Sequence, residues 1–437
     1  MSGSRGTSMA ILILGGLFFL FGFVTWLNGP LIPFMRIACE LTDFEASIVV
    51  PFAFYASYFV MALPASMVLR RTGMKNGMAL GLAVMALGAF LFIPAARMRS
   101  AGVFLTGFFT IGAGLALLQT ASNPYVTVVG PIASAARRIS IMGICNKLGG
   151  IIAPFILGSL ILVDADRLKS DLASLEGPAR DALLDERAGL VVMPYSVLGI
   201  GLLLAAALIR VSPLPPLEEE KGGAGGSVLR HPQLLLGVLA LFLYVWAEVL
   251  AGDSIAVYAE RLGTPLDVAK TLTSATLTAM LIGYVIGIAL MPRIIGQRTA
   301  LAASAVVALA CVAGVLAVDP ARMALFPLVD LGALEVRMAE LPVSVIMVAL
   351  LGLGNALMWP AIWPLAVDGV GASLKVGSAL LIMAILGGAL ALPVWTAMAG
   401  DASVDGAQSA YWPLIIFYLY ILWYALHGSR WRTWGAR

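Results

Sequence analysis

Apolar runs long enough to cross a lipid bilayer recur along nearly the whole chain. Of its 437 residues, 61% are hydrophobic and 12% are charged, whereas soluble proteins are close to half apolar and a quarter charged. A helix needs ~20 apolar residues to span the hydrocarbon core. The sequence therefore predicts an all-α, multi-pass membrane protein. We predict twelve transmembrane helices, at about 10–36, 44–69, 77–96, 101–129, 139–163, 189–211, 232–259, 268–291, 299–318, 341–368, 377–399 and 410–428.

A segment rich in proline, glycine and charge divides these spans into two sets of six. It contains PLPPLEEEKGGAGG, and it predicts an N-terminal six-helix bundle (1–211), a cytoplasmic linker (212–231) and a C-terminal six-helix bundle (232–437). The second half echoes the first, since GLGNALMWPAIWPLAVDGVG aligns with GAGLALLQTASNPYVTVVGP. Such pseudo-repeats are typical of transporters with a site near the membrane midplane. The charged loops at 164–188 and 319–340 are predicted to carry short surface helices.

Lysine and arginine in the loops predict the orientation of the chain. With the N-terminus inside, the inner segments hold fifteen basic and four acidic residues, and the outer segments hold eleven basic and eighteen acidic residues. Basic residues favour the cytoplasmic side of a membrane. We therefore expect both termini in the cytoplasm. The apolar run from Ala10 is long enough to span, so we expect no cleavable signal.

Three ionisable residues lie inside predicted spans: Lys147, Glu248 and Asp253. Each costs roughly 2.5–3.5 kcal/mol at the centre of a lone inserted helix, so a functional reason is expected. Three roles are open for Lys147. Its ammonium group anchors the helix at the membrane surface, donates hydrogen bonds to sugar hydroxyls, or pairs with Glu248 in one conformational state. The two carboxylates are five residues apart and do not share a helix face. A break at Ala251–Gly252 would let both face one cavity and bind a small cation such as Na⁺, and a protonatable carboxyl would equally serve proton coupling.

Neutral amides and paired tryptophans also lie inside the spans. An amide donates and accepts hydrogen bonds, as the recognition of a polyol requires, although bonding between helices is the alternative for any one amide. Trp359 and Trp363 are spaced i, i+4 on one helix face, where flat rings suit a sugar, and a belt at the membrane interface is their alternative. The amides in question are Asn28, Gln119, Asn123, Asn146 and Asn355.

The sequence has no motif for most other functions. The three cysteines form no metal-like spacing, both histidines are isolated, and no Walker loop, nucleophile elbow or dinucleotide fingerprint is present. We therefore expect no enzyme activity, no cofactor and no nucleic-acid partner. The alternative from a different class is a polytopic membrane enzyme such as a lipid transferase. Such an enzyme would require a cluster of histidine, cysteine or acidic residues at one membrane face.

Several blocks are similar to a known family. FFLFGFVTWLNGPLIPF, LLQTASNPYVTVVGP, ISIMGICNKLGGIIAPF and NALMWPAIWPLAVDGVG resemble the glucose/galactose transporter branch of the fucose:proton symporter family, within the major facilitator superfamily. The resemblance implies the twelve-helix fold, alternating access and a monosaccharide substrate. The acidic pair of the fucose:proton symporters falls on Gly29 and Gln119 here, and Asn146 matches the family's amide in span 5. The branch includes sodium-coupled members.

These observations together predict an importer of a neutral monosaccharide of the glucose, galactose or mannose type. We expect a monomer in the lipid bilayer of a bacterial inner membrane, with Na⁺ as the co-transported ion, and a proton symporter or an uncoupled facilitator as alternatives. Glu248 and Asp253 are the candidates for coupling and for holding Na⁺. The candidate substrate-binding residues are Asn28, Gln119, Asn123, Asn146, Lys147, Asn355, Trp359 and Trp363.

Overall fold

The computed structural model describes residues 2–41, 50–161, 172, 174–214, 228–269, 271–330, 335–400 and 404–434. Helices and one β-hairpin account for most of them. In chain order the elements are α1 (Ser2–Trp26), α2 (Asn28–Ala38), α3 (Val50–Arg97), α4 (Ala101–Val128), α5 (Ala135–Ile161), α6 (Gly177–Gly189), α7 (Val192–Val211), α8 (Pro232–Arg261), α9 (Leu266–Ala269), α10 (Leu272–Leu290), α11 (Gln297–Ala317), β1 (Met323–Asp330), β2 (Glu335–Pro342), α12 (Val343–Asn355), α13 (Met358–Val367), α14 (Leu374–Met383), α15 (Gly387–Ala399), α16 (Val404–Ser409) and α17 (Pro413–Leu426).

The predicted all-α membrane fold is confirmed. Within the described residues, ten helical stretches are long and apolar enough to cross a membrane by length and composition. One of them, Phe52–Arg97, contains two predicted spans, which Gly73 separates because its backbone (φ 75°, ψ 169°) is not helical. The 27-residue helix α5 carries the predicted fifth span. Dividing Phe52–Arg97 at Gly73 turns the ten described stretches into eleven, and α5 is the twelfth. The helices therefore match the twelve predicted spans.

Helix α8 is continuous through Ala251 and Gly252, so the predicted break at these residues is wrong. Alanine and glycine both keep the backbone N–H, and a glycine inside a helix costs only about 1 kcal/mol relative to alanine. Tertiary packing holds the helix together there, and the hydroxyl of Thr273 donates to the Gly252 carbonyl at 2.9 Å. Other predicted spans are interrupted instead, at Leu27 between α1 and α2 and at Ala356–Leu357 between α12 and α13.

The two charged loops fold differently from each other. The first contains the predicted surface helix, α6. In the second, β1 and β2 form an antiparallel hairpin in which Phe326 pairs with Ala339 and Pro327 with Met338, so the predicted helix is wrong there. Proline inside a helix loses a hydrogen bond and clashes with the preceding turn. In a two-stranded sheet every strand is an edge strand, where proline is tolerated.

Contacts between Cα atoms group the chain into two compact units. The first unit comprises Met1–Ser122 and Cys145–Leu217, and the second comprises Asn123–Ile144 and Glu218–Arg437. In the first unit, α3 packs along α7, and in the second, α8 packs against α12, α13, α15 and α17. Residues 215–227 of the predicted linker lie outside the described part of the chain. The division into bundles at 1–211 and 232–437 stays a prediction.

Two glycines bring helices α1 and α5 into backbone contact within the first unit. A Cβ atom at Gly22 would overlap the backbone oxygen of Asn146, and one at Gly149 would overlap the backbone oxygen of Phe19. Small residues allow this close approach in membrane helices. The crossing places the polar residues of α5 beside the C-terminal third of α1.

Candidate ligand-binding site

Lys147 lies inside the first unit, beside an aromatic ring. Its side chain is only 6% exposed, and its Nζ atom lies 5.4 Å from the centroid of the Trp26 ring. A cation over a tryptophan face gains roughly 0.5–2 kcal/mol, depending on desolvation. An anchor at the membrane surface would extend its ammonium group to water, so this burial argues against that role. Lys147 and Glu248 belong to different compact units, and their pairing stays a prediction.

The amides of the first unit bond to neighbouring helices. Asn146 Nδ2 donates to the Phe18 backbone oxygen of α1 at 3.4 Å. Gln119 Nε2 donates to the hydroxyl of Tyr58, on α3, at 3.3 Å. The oxygen of each amide group can also accept a hydrogen bond.

Asn123 and Asn28 are the other candidate amides in the N-terminal half of the sequence. Asn123 is one turn beyond Gln119 on α4, belongs to the second unit and is buried. Its backbone oxygen accepts a hydrogen bond from the Thr127 hydroxyl at 2.9 Å. Asn28 begins α2, and its side chain lies outside the described residues.

Asn355 ends α12 and is fully buried in the second unit. Its Oδ1 atom accepts a hydrogen bond of 2.9 Å from the hydroxyl of Tyr418 on α17. Its Nδ2 atom has no hydrogen-bond partner among the described residues. Leaving a buried donor unsatisfied costs about 1–3 kcal/mol. A group of this kind is therefore a place where a ligand hydroxyl gains a hydrogen bond.

Trp359 and Trp363 stack on each other in α13. Their ring centroids are 5.6 Å apart with an interplanar angle of 23°. Trp363 is 0% exposed, and its Nε1 atom has no partner within the described part of the chain. Trp359 is half-buried. A belt tryptophan faces lipid headgroups, so the burial of Trp363 argues against that alternative.

Tyrosines surround Glu248 in the second unit. The hydroxyl of Tyr244, one turn earlier on α8, lies within hydrogen-bonding reach of the carboxyl group. Tyr284 on α10 and Tyr418 on α17 are close enough to interact with it electrostatically. The Tyr244 ring also lies 6.4 Å from that of Trp359. The carboxyl group is thus connected to both the stacked tryptophans and the tyrosine that holds Asn355.

The structure does not bring the two predicted coupling residues together. Glu248 is half-buried and Asp253 is exposed, and the continuous helix between them points them in different directions, since 3.6 residues complete a turn. Among the described residues, no group of three or more histidine, cysteine, aspartate or glutamate side chains forms a metal site.

Sequence reasoning missed the tyrosines of both units. Tyr58 and Tyr418 lie 61 and 63 positions from the amides that they contact, so no local pattern signals the pairing. Tyr244 is the exception, because it precedes Glu248 by four residues and therefore shares its helix face.

Comparison with known proteins identifies the family. The Major Facilitator Superfamily matches residues 14–393. The glucose/galactose transporter of Brucella abortus is 31% identical over 435 residues, which cover 98% of this chain and 96% of that protein. The L-fucose-proton symporter of Escherichia coli is 30% identical over 403 residues, which cover 90% of this chain and 87% of that protein.

The fold agrees with these matches. The crystal structure of a Major Facilitator Superfamily transporter, FucP, in the outward conformation superposes with a TM-score of 0.82 and 28% identity, covering 98% of this chain and 100% of that chain. The relatives are transporters and not enzymes, so the alternative of a membrane enzyme is wrong. The chain therefore belongs to the Major Facilitator Superfamily of membrane transporters.

Proposed function

We propose that this protein is a symporter that moves a neutral monosaccharide of the glucose or galactose type across the membrane together with a proton. The names of its relatives support the substrate class, as one is a glucose/galactose transporter and another an L-fucose-proton symporter. The latter name also supports a proton as the coupled ion. The sodium coupling expected from the sequence has no such support.

The observation that carries the proposal is a pair of buried N–H donors in α12 and α13. Asn355 Nδ2 and Trp363 Nε1 are both without partners among the described residues, and Trp363 stacks with Trp359. Hydroxyl oxygens accept hydrogen bonds from such donors, and aromatic faces suit the apolar face of a sugar ring. None of these three side chains carries a charge, which favours a neutral ligand.

In this proposal, candidate residues from the N-terminal half of the sequence supply further hydrogen-bonding groups for the sugar. Gln119, Asn123 and Asn146 supply amides, Lys147 supplies a charged donor, and Asn28 remains a candidate from its position in the sequence. Amides serve a polyol well because each hydroxyl both donates and accepts.

Glu248 is the residue that we expect to carry the proton. A charged carboxylate inside an apolar helix is costly, and taking up a proton removes that cost. A proton needs one carboxyl group, whereas a hard metal ion needs several converging oxygen ligands. Glu248 and Asp253 do not converge, so their placement favours the proton. Asp253 is the second candidate for coupling.

Transport follows from unequal binding to two conformations. A ligand shifts a conformational equilibrium only by its difference in affinity for the two states. We propose that the sugar and the proton together favour the state in which the protein closes around them. The excess of basic residues in the inner loops supports a cytoplasmic position for both termini, and we propose a monomer in a bacterial inner membrane that imports the sugar.

Uptake into proteoliposomes tests the proposal. Radiolabelled glucose and galactose are supplied with an inward proton gradient, an inward Na⁺ gradient, or no gradient. We expect accumulation above the external concentration only with the proton gradient. Accumulation driven by Na⁺ alone would establish sodium coupling instead, and equal uptake in all three conditions would identify an uncoupled facilitator. Absence of uptake of both sugars in all three conditions would contradict the substrate class.

A further inference from the structure

Tyr418 lies between the proposed sugar-binding amide and the proposed coupling carboxyl group. It is fully buried on α17, donates to Asn355 Oδ1 at 2.9 Å and is close enough to Glu248 to interact electrostatically. Nothing in the sequence around Tyr418 indicates a binding role, because it lies in the apolar run PLIIFYLYILWYAL.

The two ends of the Asn355 side chain have different surroundings. The oxygen end accepts a hydrogen bond from Tyr418, while the NH₂ end is buried and has no partner among the described residues. An amide group can exchange its two ends by rotation, and only its hydrogen-bond partners favour one orientation over the other. In the observed orientation the hydroxyl proton of Tyr418 has the Asn355 oxygen as its acceptor, and it would lose that acceptor if the amide were reversed.

We infer that Tyr418 is a positioning residue, which holds the Asn355 amide so that its NH₂ group is presented to a hydroxyl oxygen of the bound sugar. This inference rests on the proposed function, and it adds to it the residue that sets the donor direction at the site. Tyr418 itself acts through Asn355. The sugar must then supply an acceptor oxygen at that point, so a monodeoxy sugar lacking that hydroxyl binds more weakly.

A double-mutant cycle on sugar affinity tests the inference. Calorimetry measures the Kd of galactose for the parent protein, Tyr418→Phe, Asn355→Ala and the double variant. We expect each single substitution to weaken binding roughly fivefold, as for the loss of one neutral hydrogen bond. We expect the double variant to bind no more weakly than Asn355→Ala, because Tyr418 has nothing left to position.

Tyr424→Phe is the matched control on the same helix. Tyr424 is also fully buried, and its hydroxyl donates to the Gln233 backbone oxygen at 3.0 Å. This control should bind sugar as the parent does. Replacing Tyr418 by 4-aminophenylalanine keeps an N–H donor at the same place and should restore most of the affinity that Tyr418→Phe loses.

Three outcomes would overturn the inference. The first is parent-like affinity in Tyr418→Phe, and the second is a double variant in which both losses multiply. The third is a folded 4-aminophenylalanine variant that binds sugar as weakly as Asn355→Ala does; this outcome also decides the matter if Tyr418→Phe does not fold. The proposed function is tested separately, by proton-driven sugar uptake in the parent protein. An Asn355→Ala variant with parent-like affinity would show that Asn355 does not bind the sugar, and it would overturn the inference as well.

Discussion

At the scale of single residues, the most informative groups are buried polar atoms that the fold leaves without a partner. Native proteins satisfy nearly all buried donors, so the exceptions mark places where a ligand or water completes the bonding. Asn355 Nδ2 and Trp363 Nε1 are two such donors among the described residues of α12 and α13. Their ligand has to supply acceptors, which the hydroxyls of a sugar do.

Replacing Trp363 by 3-benzothienylalanine, in which sulfur takes the place of the indole N–H, removes the donor and keeps the bicyclic ring that fills this fully buried site. Because Nε1 contacts no acceptor among the described residues, its removal should leave thermal stability nearly unchanged. Galactose affinity should fall roughly fivefold, the value of one neutral hydrogen bond. Calorimetry and a thermal melt check this, with the same replacement at the exposed Trp412 as the control. A lower melting temperature with unchanged affinity would show that the N–H serves the fold.

Cys39 gives a second prediction at this scale, outside the membrane spans. Burial raises the pKa of its thiol to about 11, and the positive charge of Arg99 opposes that rise only in part. The thiolate is the reactive form, so at pH 8 alkylation of the folded protein should be roughly a hundredfold slower than that of an ordinary thiol. The rate should rise with pH until the pKa is passed.

Iodoacetamide labelling of a variant with Cys145→Ser and Cys311→Ser checks this prediction. The same variant in denaturant is the control, since an unfolded Cys39 has an ordinary pKa. Equal rates in the folded and unfolded chains at pH 8 would contradict it.

At the scale of elements, ion pairs attach surface helix α6 to the ends of two other helices in the first unit. Arg99 contacts Asp181 at 3.0 Å and Asp185 at 2.9 Å, and Arg180 contacts Glu40 at 2.7 Å. The acidic partners are more than half exposed. Exposed pairs of this kind contribute about 0–1 kcal/mol each, and salt weakens them.

Arg99→Ala should therefore lower the melting temperature slightly, by about 1–3 °C at low salt. The difference from the parent should shrink in 1 M NaCl, where the screening length is about 3 Å. Differential scanning fluorimetry at both salt concentrations measures it. A charge exchange, Arg99→Asp with Asp185→Arg, should recover part of the loss. An equal difference at both salt concentrations would show that Arg99 stabilises by packing instead.

At the scale of the whole molecule, the question is what links sugar movement to the proton. Glu248 is a titratable group within the long apolar helix α8, and Tyr244 connects it to the stacked tryptophans. Glutamine in its place resembles the protonated acid and cannot release a proton. The carrier could then still move loaded with sugar but would gain nothing from a proton gradient.

Glu248→Gln should accordingly lose sugar accumulation in a proton gradient, falling at least roughly tenfold, since the gradient no longer favours one state. Exchange of labelled for unlabelled sugar at equal concentrations should continue. Counterflow and gradient-driven uptake in proteoliposomes measure the two activities. Asp253→Asn, on the same helix, is the comparison and should retain more of the accumulation. Gradient-driven accumulation that survives in Glu248→Gln would assign the proton to another residue.

The sequence by itself determined the number and placement of the membrane helices and the family of the protein. The length and hydrophobicity of each run decide where the membrane helices lie. A backbone in lipid must satisfy its hydrogen bonds within its own helix, so each apolar run of spanning length forms a helix. The cost of polar groups in hydrocarbon likewise singles out Lys147, Glu248 and the amides from the sequence alone.

Only the tertiary structure decided which of these groups meet, and how. Tyr418 holds Asn355 across 63 positions of sequence, and no local pattern contains a contact of that kind. Packing also kept α8 helical through Ala251–Gly252, so that Glu248 and Asp253 point in different directions, and it paired β1 with β2 where a surface helix was expected. Short-range preferences differ by about 1 kcal/mol per residue, so the contacts made by neighbouring elements outweigh them.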